Sequence, residues 1–444
     1  MWLLNTTTLQ LQDFVGARIQ PYAILSHTWG EGEVSFKDMR KYRDAAKRKA
    51  GYPKVQQCCE KAWSDGYQWV WIDTCCIDKR SSAELSEAIN SMWNWYQKSE
   101  ICYAYLVDVP SSQGPFTGAV INDTLAKSRW FTRGWTLQEL IAPRIIQFFG
   151  QDWNLIGQKV PPSILAGQSQ AIIDDSNSFL SMISVITGIE IRVLQNPATL
   201  SRVAAAKKMF WASKRETTRE EDVAYSLMGL FGVSMPILYG EGLEKAFRRL
   251  QLDIIQRTTD QSIFVWKRDV YGLDLDDSGL LADSPLDFAH SNLDFFWLNP
   301  TLYPYSMTNV GLLIKMPFHS REYGVEVISL GCCKSHVVLC PSSFRYLEKI
   351  CQDEVTIAEP NLGVGTDADL KNHEMRRIEL RVEQLSDPGG PVGEGENLYR
   401  RDCSTFDIVD WYIDSDENRH KEIYVLQDEQ YNEYIMNSEI GNGG

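Results

Sequence analysis

The sequence is poor in the patterns that build metal sites and disulfide frameworks. Its six histidines are scattered, and none of its ten cysteines forms a Cys-X-X-Cys spacing, so no zinc site is predicted. Six of the cysteines occur as adjacent pairs, and neighbours on a strand point to opposite faces, so a bridge within a pair would be strained. The pairs are Cys58–Cys59, Cys75–Cys76 and Cys332–Cys333. Cysteines of this kind are typical of reduced, buried thiols, so we expect a cytoplasmic protein.

Positive charge is also scarce. The chain has 44 Lys and Arg against 59 Asp and Glu, which leaves a net charge of −15. Because DNA and RNA binders need a basic face, this balance argues against nucleic acid as a partner. Residues 40–54 are a local exception with seven basic residues. They predict a solvated face, with a patch for phosphates or an acidic partner as the alternative.

Long apolar runs and targeting signals are missing as well. The N-terminus lacks the basic and apolar regions of a secretory signal. The uncharged stretch 223–240 contains Ser, Gly and Pro, so a buried helix and turn is expected there rather than a membrane span. No internal repeat and no GxxxxGK[ST] phosphate loop occurs.

What is present indicates a multidomain globular protein. An apolar content of 44% over 444 residues predicts two or three packed domains. We expect an α/β domain at 1–160, a helical extension at 161–260 and a β-rich accessory domain with an acidic tail at 261–444. Helices are predicted at 201–215, 220–231 and 242–257. Short β-type runs are predicted at 262–266, 311–316, 325–330 and 422–426, with loops at 110–118 and 387–396.

The first 150 residues alternate strands and helices. Apolar runs predict strands at 22–26, 67–73, 101–107 and 144–150. A helix at 53–65 is indicated by the buried stripe Val55, Cys58, Cys59, Ala62 and Trp63. A capping box at Ser81 and Glu84 opens a second helix. This alternation favours a parallel sheet with flanking helices.

Polar residues collect where the predicted strands end. They are Ser26, His27, Asp73, Asp78 and Asp108. Because ligands of parallel sheets bind outside the carboxyl ends of the strands, these residues predict a site.

Several long motifs resemble those of the fungal heterokaryon-incompatibility (HET) domain family. They are YAILSHTWG (22–30), VWIDTCCID (70–78), ELSEAINSM (84–92) and SRWFTRGWTLQELIAP (128–143), followed by TTREEDVAY (217–225) and MPILYGEG (235–242). The resemblance covers roughly the first 266 residues. It implies an effector of non-self recognition after hyphal fusion that ends in programmed cell death.

A more distant resemblance links the first module to TIR domains. Residues 22–26 are similar to the first-strand box of TIR domains, and WTLQEL (135–140) is similar to their Trp-Cys-x-x-Glu-Leu motif. The resemblance implies a TIR-like (flavodoxin-like) parallel sheet, and Glu139 as the residue that cleaves NAD⁺, which would be a substrate rather than a cofactor. Thr136 replaces the usual Cys, and no Pro-Gly follows Asp73.

The chemistry of that cleavage assigns roles to further residues. A carboxylate at Glu139 would stabilise an oxocarbenium-like transition state beside Trp130 and Trp135. His27 and Trp29 are candidates to stack the nicotinamide. Gly30 would admit the ligand close to the backbone, and Arg133 would bind its pyrophosphate.

Each residue also has a structural interpretation. Glu139 would then pair with Arg133 or Arg144, His27 would be a satisfied strand-end residue, and Trp29 would be core. Asp73 and Asp78 would cap a turn or pair with Lys79 and Arg80.

Three functional classes follow. The first is an NAD⁺-cleaving death effector that forms a homo-oligomer on activation and responds to a protein partner. The second is a non-catalytic TIR-like module that oligomerises and recruits death effectors. The third, an enzyme with Cys75 or Cys76 as nucleophile beside His27, is least favoured because no environment that lowers a thiol pKa is visible in the sequence.

Overall fold

Two compact units make up the chain. The computed structural model describes residues 1–14, 19–110, 123–166, 168–266 and 281–291, with strands at 305–307, 312–320, 326–330, 376–384, 398–410 and 420–425. Contacts group Met1–Ser201 with Lys214–Leu250 as the first unit, and Arg202–Ser213 with Gln251–Gly444 as the second. The first unit is therefore built from two separate stretches of chain.

A seven-stranded sheet forms the centre of the first unit. Its strands are β1 (Trp2–Asn5), β2 (Leu11–Asp13), β3 (Tyr22–His27), β4 (Trp69–Trp71), β5 (Ile101–Tyr105), β6 (Ile146–Phe149) and β7 (Leu155–Lys159), in the spatial order β2-β1-β4-β3-β5-β6-β7. The four central strands β4, β3, β5 and β6 are parallel. The chain leaves β3 towards β4 and then crosses to β5 on the other side. Such a reversal is where open α/β sheets bind ligands.

The predicted α/β architecture with a parallel sheet and flanking helices is confirmed for this central part. The sheet as a whole is mixed, because β1, β2 and β7 are antiparallel to their neighbours. All three lie at or next to an edge and have at most five residues. Strands so short carry little periodicity, so the sequence pattern did not reveal them.

Fifteen α-helices lie within the described residues. They are α1 (Phe36–Lys41), α2 (Arg43–Ala46), α3 (Tyr52–Ser64), α4 (Asp73–Cys76), α5 (Ser82–Lys98), α6 (Asp123–Ala126), α7 (Arg129–Thr132), α8 (Thr136–Ile141), α9 (Pro162–Leu165), α10 (Gln170–Thr187), α11 (Ile191–Gln195), α12 (Ala205–Ala212), α13 (Asp222–Tyr225), α14 (Met228–Phe231) and α15 (Leu243–Arg257). The predicted helix at 220–231 is thus two short helices, because the chain turns between Ser226 and Leu227. Helix α10 lies in the region 161–260, which was expected to be helical, and strand β7 lies just before it.

The two helices predicted in the α/β module are confirmed. Helix α3 buries Val55, Cys58, Cys59 and Ala62, as its stripe predicts. Trp63 was expected in the same stripe, but it is 60% exposed because it lies at the border of the buried face. Ser81 caps α5 by accepting a hydrogen bond from Glu84 N at 3.3 Å, as its capping-box spacing predicts.

The second unit contains a six-stranded sheet. Its strands are β8 (Tyr305–Met307), β9 (Leu312–Ser320), β10 (Glu326–Leu330), β11 (Arg376–Gln384), β12 (Leu398–Asp410) and β13 (His420–Val425), in the order β10-β11-β12-β13-β9-β8. Three of the predicted β-type runs coincide with β9, β10 and β13. The predicted loop 387–396 and the loop residues 111–118 lie outside the described residues.

The β-type run at 262–266 was predicted wrongly. Residues Gln261–Phe264 form a 3-10 helix that Asp260 caps by accepting a hydrogen bond from Ser262 N. Every residue from 262 to 266 is buried, so the run has no strand-like alternation. A short continuous apolar run does not distinguish a strand from a buried helical turn.

Membrane-spanning character is lacking in the described part of the chain. None of the helices there has both the length and the apolar composition needed to cross a bilayer. The stretch 223–240 contains α13, α14 and a turn, as its Gly, Ser and Pro content indicates.

Candidate functional site

A cavity of about 230 Å³ opens where the first parallel strand ends. His27 is the last residue of β3, and it lines the cavity together with Thr28 and Trp29 from the loop that follows. Apolar side chains of α5, Ile89 and Met92 among them, form its floor. The position agrees with the general rule that α/β sheets bind ligands beyond the carboxyl ends of their strands.

Glu139 reaches the cavity from α8. All six residues of this helix are buried, and Glu139 itself is only 7% exposed. Its Oε2 accepts a hydrogen bond from the hydroxyl of Ser26, on the adjoining strand β3. Ser26 Oγ in turn accepts from Trp130 Nε1 at 2.8 Å. Ser26 therefore holds one side of the Glu139 carboxyl group, and another part of this side chain faces the cavity.

The ionisation of Glu139 is strongly perturbed. Burial raises its pKa to about 8, against the opposing effect of the Ser26 hydrogen bond. The negative charge of Asp73 acts in the same direction as burial, and the guanidinium of Arg215 acts against it. At neutral pH the resting side chain is therefore largely protonated. Strongly shifted carboxyl groups in clefts are a feature of functional sites.

Asp73 organises the residues at the end of β3. It starts helix α4, and its two carboxylate oxygens accept from His27 Nε2 at 2.9 Å and from Trp29 Nε1 at 2.7 Å. Burial raises the pKa of Asp73, but the hydrogen bond from His27, the positive charge of Lys79 and the hydrogen bond from Trp29 outweigh it and hold the pKa below its usual range. The carboxylate is thus ionised and orients an imidazole and an indole together.

The second imidazole nitrogen settles the tautomer of His27. Lys54 Nζ lies 2.7 Å from His27 Nδ1 and 2.6 Å from Glu33 Oε1. An ammonium group only donates hydrogen bonds, so Nδ1 must be the acceptor. The Nε2–H of His27 therefore donates to Asp73.

The opposite wall comes from the segment after residue 214. Asp222 accepts from Trp135 Nε1 at 3.2 Å and from the Tyr239 hydroxyl at 2.9 Å. Burial raises the pKa of Asp222, while those two hydrogen bonds lower it. The guanidinium carbon of Arg219 lies 4.0 Å above the Tyr239 ring centroid. Asp222 therefore fixes two aromatic walls of the cavity, and Arg219 adds a cation.

Comparison with known proteins gives this arrangement a context. Residues 22–124 match the family model described as heterokaryon incompatibility protein (HET). The chain contains a HET domain. Over 243 residues it is 46% identical to the vegetative incompatibility protein HET-E-1 of Podospora anserina. Residues 245–291 match a domain of unknown function (DUF8212). No solved structure matches the chain.

The shared region is a small part of that relative. The alignment covers 54% of this chain but only 16% of HET-E-1, so this chain matches about one sixth of the relative's length. Within this chain, the HET match ends at residue 124, before Glu139 and the wall formed by Asp222 and Tyr239. The cavity therefore combines the HET-domain residues around His27 and Asp73 with residues that follow the match.

Most of the residues predicted for the HET-domain site meet in this cavity. Its lining includes His27, Trp29, Asp73, Arg133, Trp135 and Glu139. Ser26 lies directly behind Glu139, to which it is hydrogen-bonded.

Three strand-end residues lie outside the lining. Gly30 N donates to Glu33 Oε1 at 2.8 Å. Asp78 forms an ion pair with Arg80 at 2.5 Å, as its structural interpretation predicts. Asp108 accepts from Ser128 Oγ and Arg129 N, at the start of α7. These three residues shape the loops around the site without facing the cavity.

The sequence pattern missed several residues that face the cavity. Lys79, Thr218, Arg219, Asp222 and Tyr239 all contribute to its lining. The last four belong to the motifs at 217–225 and 235–242, whose unusual charged and aromatic content was a usable signal. Because these four residues are far from Glu139 in sequence, the pattern did not indicate that they line the same cavity.

Neither thiol chemistry nor metal binding finds support in the described residues. Burial raises the pKa of Cys75 to about 12, and its Sγ contacts Val34 O at 3.4 Å. Burial also raises the pKa of Cys76 well above its usual value. Within the described ranges, no group of three or more His, Cys, Asp or Glu is arranged to hold a metal ion.

Proposed function

We propose that this chain is an effector of fungal non-self recognition and regulated cell death that cleaves NAD⁺ to nicotinamide and ADP-ribose. The observation that carries the proposal is the Glu139 carboxyl group, which lines a cavity at the reversal point of a parallel sheet. The distant resemblance of residues 135–140 to the catalytic motif of TIR domains supports the same assignment. The HET domain and its incompatibility-protein relative support the biological setting.

The chemistry needs one carboxylate and little acid catalysis. The bond between the ribose C1′ and the nicotinamide nitrogen breaks, and its electron pair returns to the ring, so nicotinamide leaves as a neutral molecule. Positive charge then develops on the ribose, where an ionised Glu139 would stabilise it. Water adds to C1′ and loses a proton, which gives ADP-ribose.

The charge of the substrate also suits the resting state of Glu139. Because its pKa is about 8, the group is mostly protonated before ligand binds. A cationic nicotinamide ring beside it favours the ionised form. Substrate binding would therefore generate the active carboxylate.

The size and lining of the cavity fit one end of a dinucleotide. Its volume of about 230 Å³ is below the roughly 300–1,000 Å³ of pockets for whole drug-sized ligands. We propose that the nicotinamide riboside end enters it and the phosphates remain at the rim. There Arg133 and Arg219 offer guanidinium groups to a pyrophosphate.

We further propose that the protein acts in the cytoplasm, assembles into a homo-oligomer when triggered, and takes its trigger from a protein partner. The resemblance to TIR domains supports this, since many of them act as assemblies. An activity assay therefore needs both a dilute and a clustered form of the protein.

The decisive experiment is NAD⁺ cleavage by the full chain and by Glu139→Gln. We expect nicotinamide release from the clustered wild type and a loss of roughly 10²- to 10³-fold in the variant, because the glutamine amide carries no negative charge. Release would be followed by chromatography. Equal release by both proteins would reject Glu139. No release by either, with cell killing intact in the variant, would favour a non-catalytic scaffold.

Protein stability provides the control for that variant. A raised carboxyl pKa means that the folded state holds its proton more tightly than the unfolded chain. Glu139 therefore reduces stability progressively as pH rises from about 4.5 to about 8. Glu139→Gln removes this penalty, so its free energy of unfolding at pH 7 should exceed that of the wild type by on the order of 3 kcal/mol. In a urea titration, the variant should therefore have the higher midpoint. A destabilised variant would mean that lost cleavage reflects misfolding.

A further inference from the structure

The indole of Trp29 lines the cavity and is partly exposed, and the Lys79 ammonium covers one face of its ring. Trp29 is 50% exposed, although its Nε1 is anchored to Asp73 Oδ2 at 2.7 Å. The ammonium of Lys79 lies 3.4 Å from the centroid of the Trp29 ring. The Lys79 residue as a whole is exposed, and its side chain lines the cavity next to the indole.

The surrounding charges make this ring face a receptor for cations. Tryptophan has the most negative ring face of the aromatic side chains. Asp73, at the edge of the indole, adds a full negative charge that its hydrogen bonds keep ionised. A positively charged planar ring stacked on Trp29 would receive the same attraction as the Lys79 ammonium and would add the larger contact area of two stacked rings.

We infer that the Lys79 ammonium occupies the Trp29 ring face through an intramolecular cation–π contact, and that a ligand with a cationic aromatic ring binds by displacing this ammonium. The inference rests on the proposed function, which it deepens by naming the ligand class: oxidised, cationic nicotinamide compounds in preference to neutral, reduced ones. Lys79 is thereby a residue that sets both the affinity and the selectivity of the site.

Binding measurements on the full chain test the inference, with Glu139→Gln in every protein to prevent turnover. The probes are NAD⁺ against NADH, and N1-methylnicotinamide against nicotinamide, with affinities read by calorimetry. The variant is Lys79→Met, which keeps the length of the side chain and removes its charge. Lys47→Met is the matched control, because Lys47 is exposed and pairs with Asp44 away from the cavity.

We expect Lys79→Met to tighten NAD⁺ and N1-methylnicotinamide by roughly 2- to 30-fold, the range of ammonium–indole contacts. NADH and nicotinamide should gain nothing, because they do not compete for the cation site. Adding Trp29→Leu should abolish the gain, and Lys47→Met should change neither affinity.

The opposite results would overturn the inference. If Lys79→Met weakened NAD⁺ and NADH equally, Lys79 would be a phosphate ligand instead. If no variant changed the affinity for either cationic probe, or if neither cation bound, the Trp29 face would not be a cation site. A gain for N1-methylnicotinamide without NAD⁺ cleavage by the parent chain would sustain the inference while rejecting the proposed function.

Discussion

At the scale of single residues, the chemistry of the cavity depends on a chain of hydrogen bonds behind Glu139. The indole of Trp130 donates to Ser26, whose hydroxyl donates to the carboxylate. Trp130 is completely buried, so this chain is shielded from water. A hydrogen bond donated to a carboxylate favours its ionised form. Ser26 thus limits how far burial raises the pKa of Glu139.

The pH dependence of cleavage tests this role of Ser26. Since the ionised form of Glu139 is the active one, kcat/KM for NAD⁺ should rise with pH through about 8. In Ser26→Ala the midpoint should move about 1–2 pH units higher, because a hydrogen bond that favours the charged form is lost. Rates between pH 6 and 10 give both midpoints.

A buried serine elsewhere is the control for that shift. Ser176 on α10 is 1% exposed, and it does not line the cavity. Ser176→Ala should leave the midpoint unchanged. A midpoint that falls in Ser26→Ala, or a profile that is flat between pH 6 and 10, would contradict the assigned role of Glu139.

At the scale of elements, helix α8 is held at both ends. At its start, Thr136 Oγ1 donates to Arg133 O at 2.8 Å and accepts from Arg215. Beyond Glu139, the fully buried ammonium of Lys159 donates to Leu140 O at 2.7 Å and to two further carbonyl oxygens. A helix this short has no stability of its own, so these tertiary bonds position Glu139.

The contact between the two parts of the first unit depends on a glycine next to α8. Gly134 N donates to Glu216 O at 2.9 Å, and a Cβ at position 134 would lie 2.5 Å from Thr217 Cγ2. In Gly134→Ala, Thr217 must therefore shift, and it lies in the segment that leads to Asp222. We expect a loss of about 1–3 kcal/mol in unfolding free energy and a higher KM for NAD⁺. Urea unfolding and steady-state kinetics measure the two effects.

A second glycine separates the local effect from general destabilisation. A Cβ at Gly157 in β7 would lie 2.2 Å from the ring of Phe179 on α10, and neither residue lines the cavity. Gly157→Ala should therefore lose comparable stability but keep the KM of the wild type. If both variants raised KM alike, the Gly134 contact would have no special connection with the site.

At the scale of the whole molecule, the unit that contains the cavity is discontinuous in sequence. Residues 214–250 belong with residues 1–201, although the residues between them group with the second unit. The family match at 22–124 thus understates the extent of the unit. The unit that contains the cavity therefore extends beyond residue 160, where the sequence pattern predicts a module boundary.

Truncation tests that conclusion. A fragment of residues 1–160 keeps Glu139 but lacks Thr218, Arg219, Asp222 and Tyr239, so we expect it not to bind NAD⁺ or release nicotinamide. The full chain with Asp222→Ala should lose affinity in the same direction, because Trp135 and Tyr239 lose their common acceptor. Binding and cleavage assays compare the three proteins. A folded 1–160 fragment as active as the full chain would show that the second wall is dispensable.

Local sequence determined the elements whose signals are short in range. The apolar run 22–26 predicted β3, the apolar stripe predicted α3, and Ser81 at the N-cap position predicted the start of α5. Strand-end polarity also singled out His27 and Asp73, both of which line the cavity. These predictions succeed because periodicity, caps and strand ends involve residues within a few positions of each other.

Only the tertiary structure decided which distant segments meet at the cavity. The contact of Asp222 with Trp135 joins residues 87 positions apart, and the bond between Ser26 and Glu139 joins residues 113 positions apart. The edge strands β2 and β7 and the placement of Lys79 over Trp29 belong to the same class. Such pairings follow from how buried apolar faces pack against each other, a property of the whole fold that no local pattern encodes.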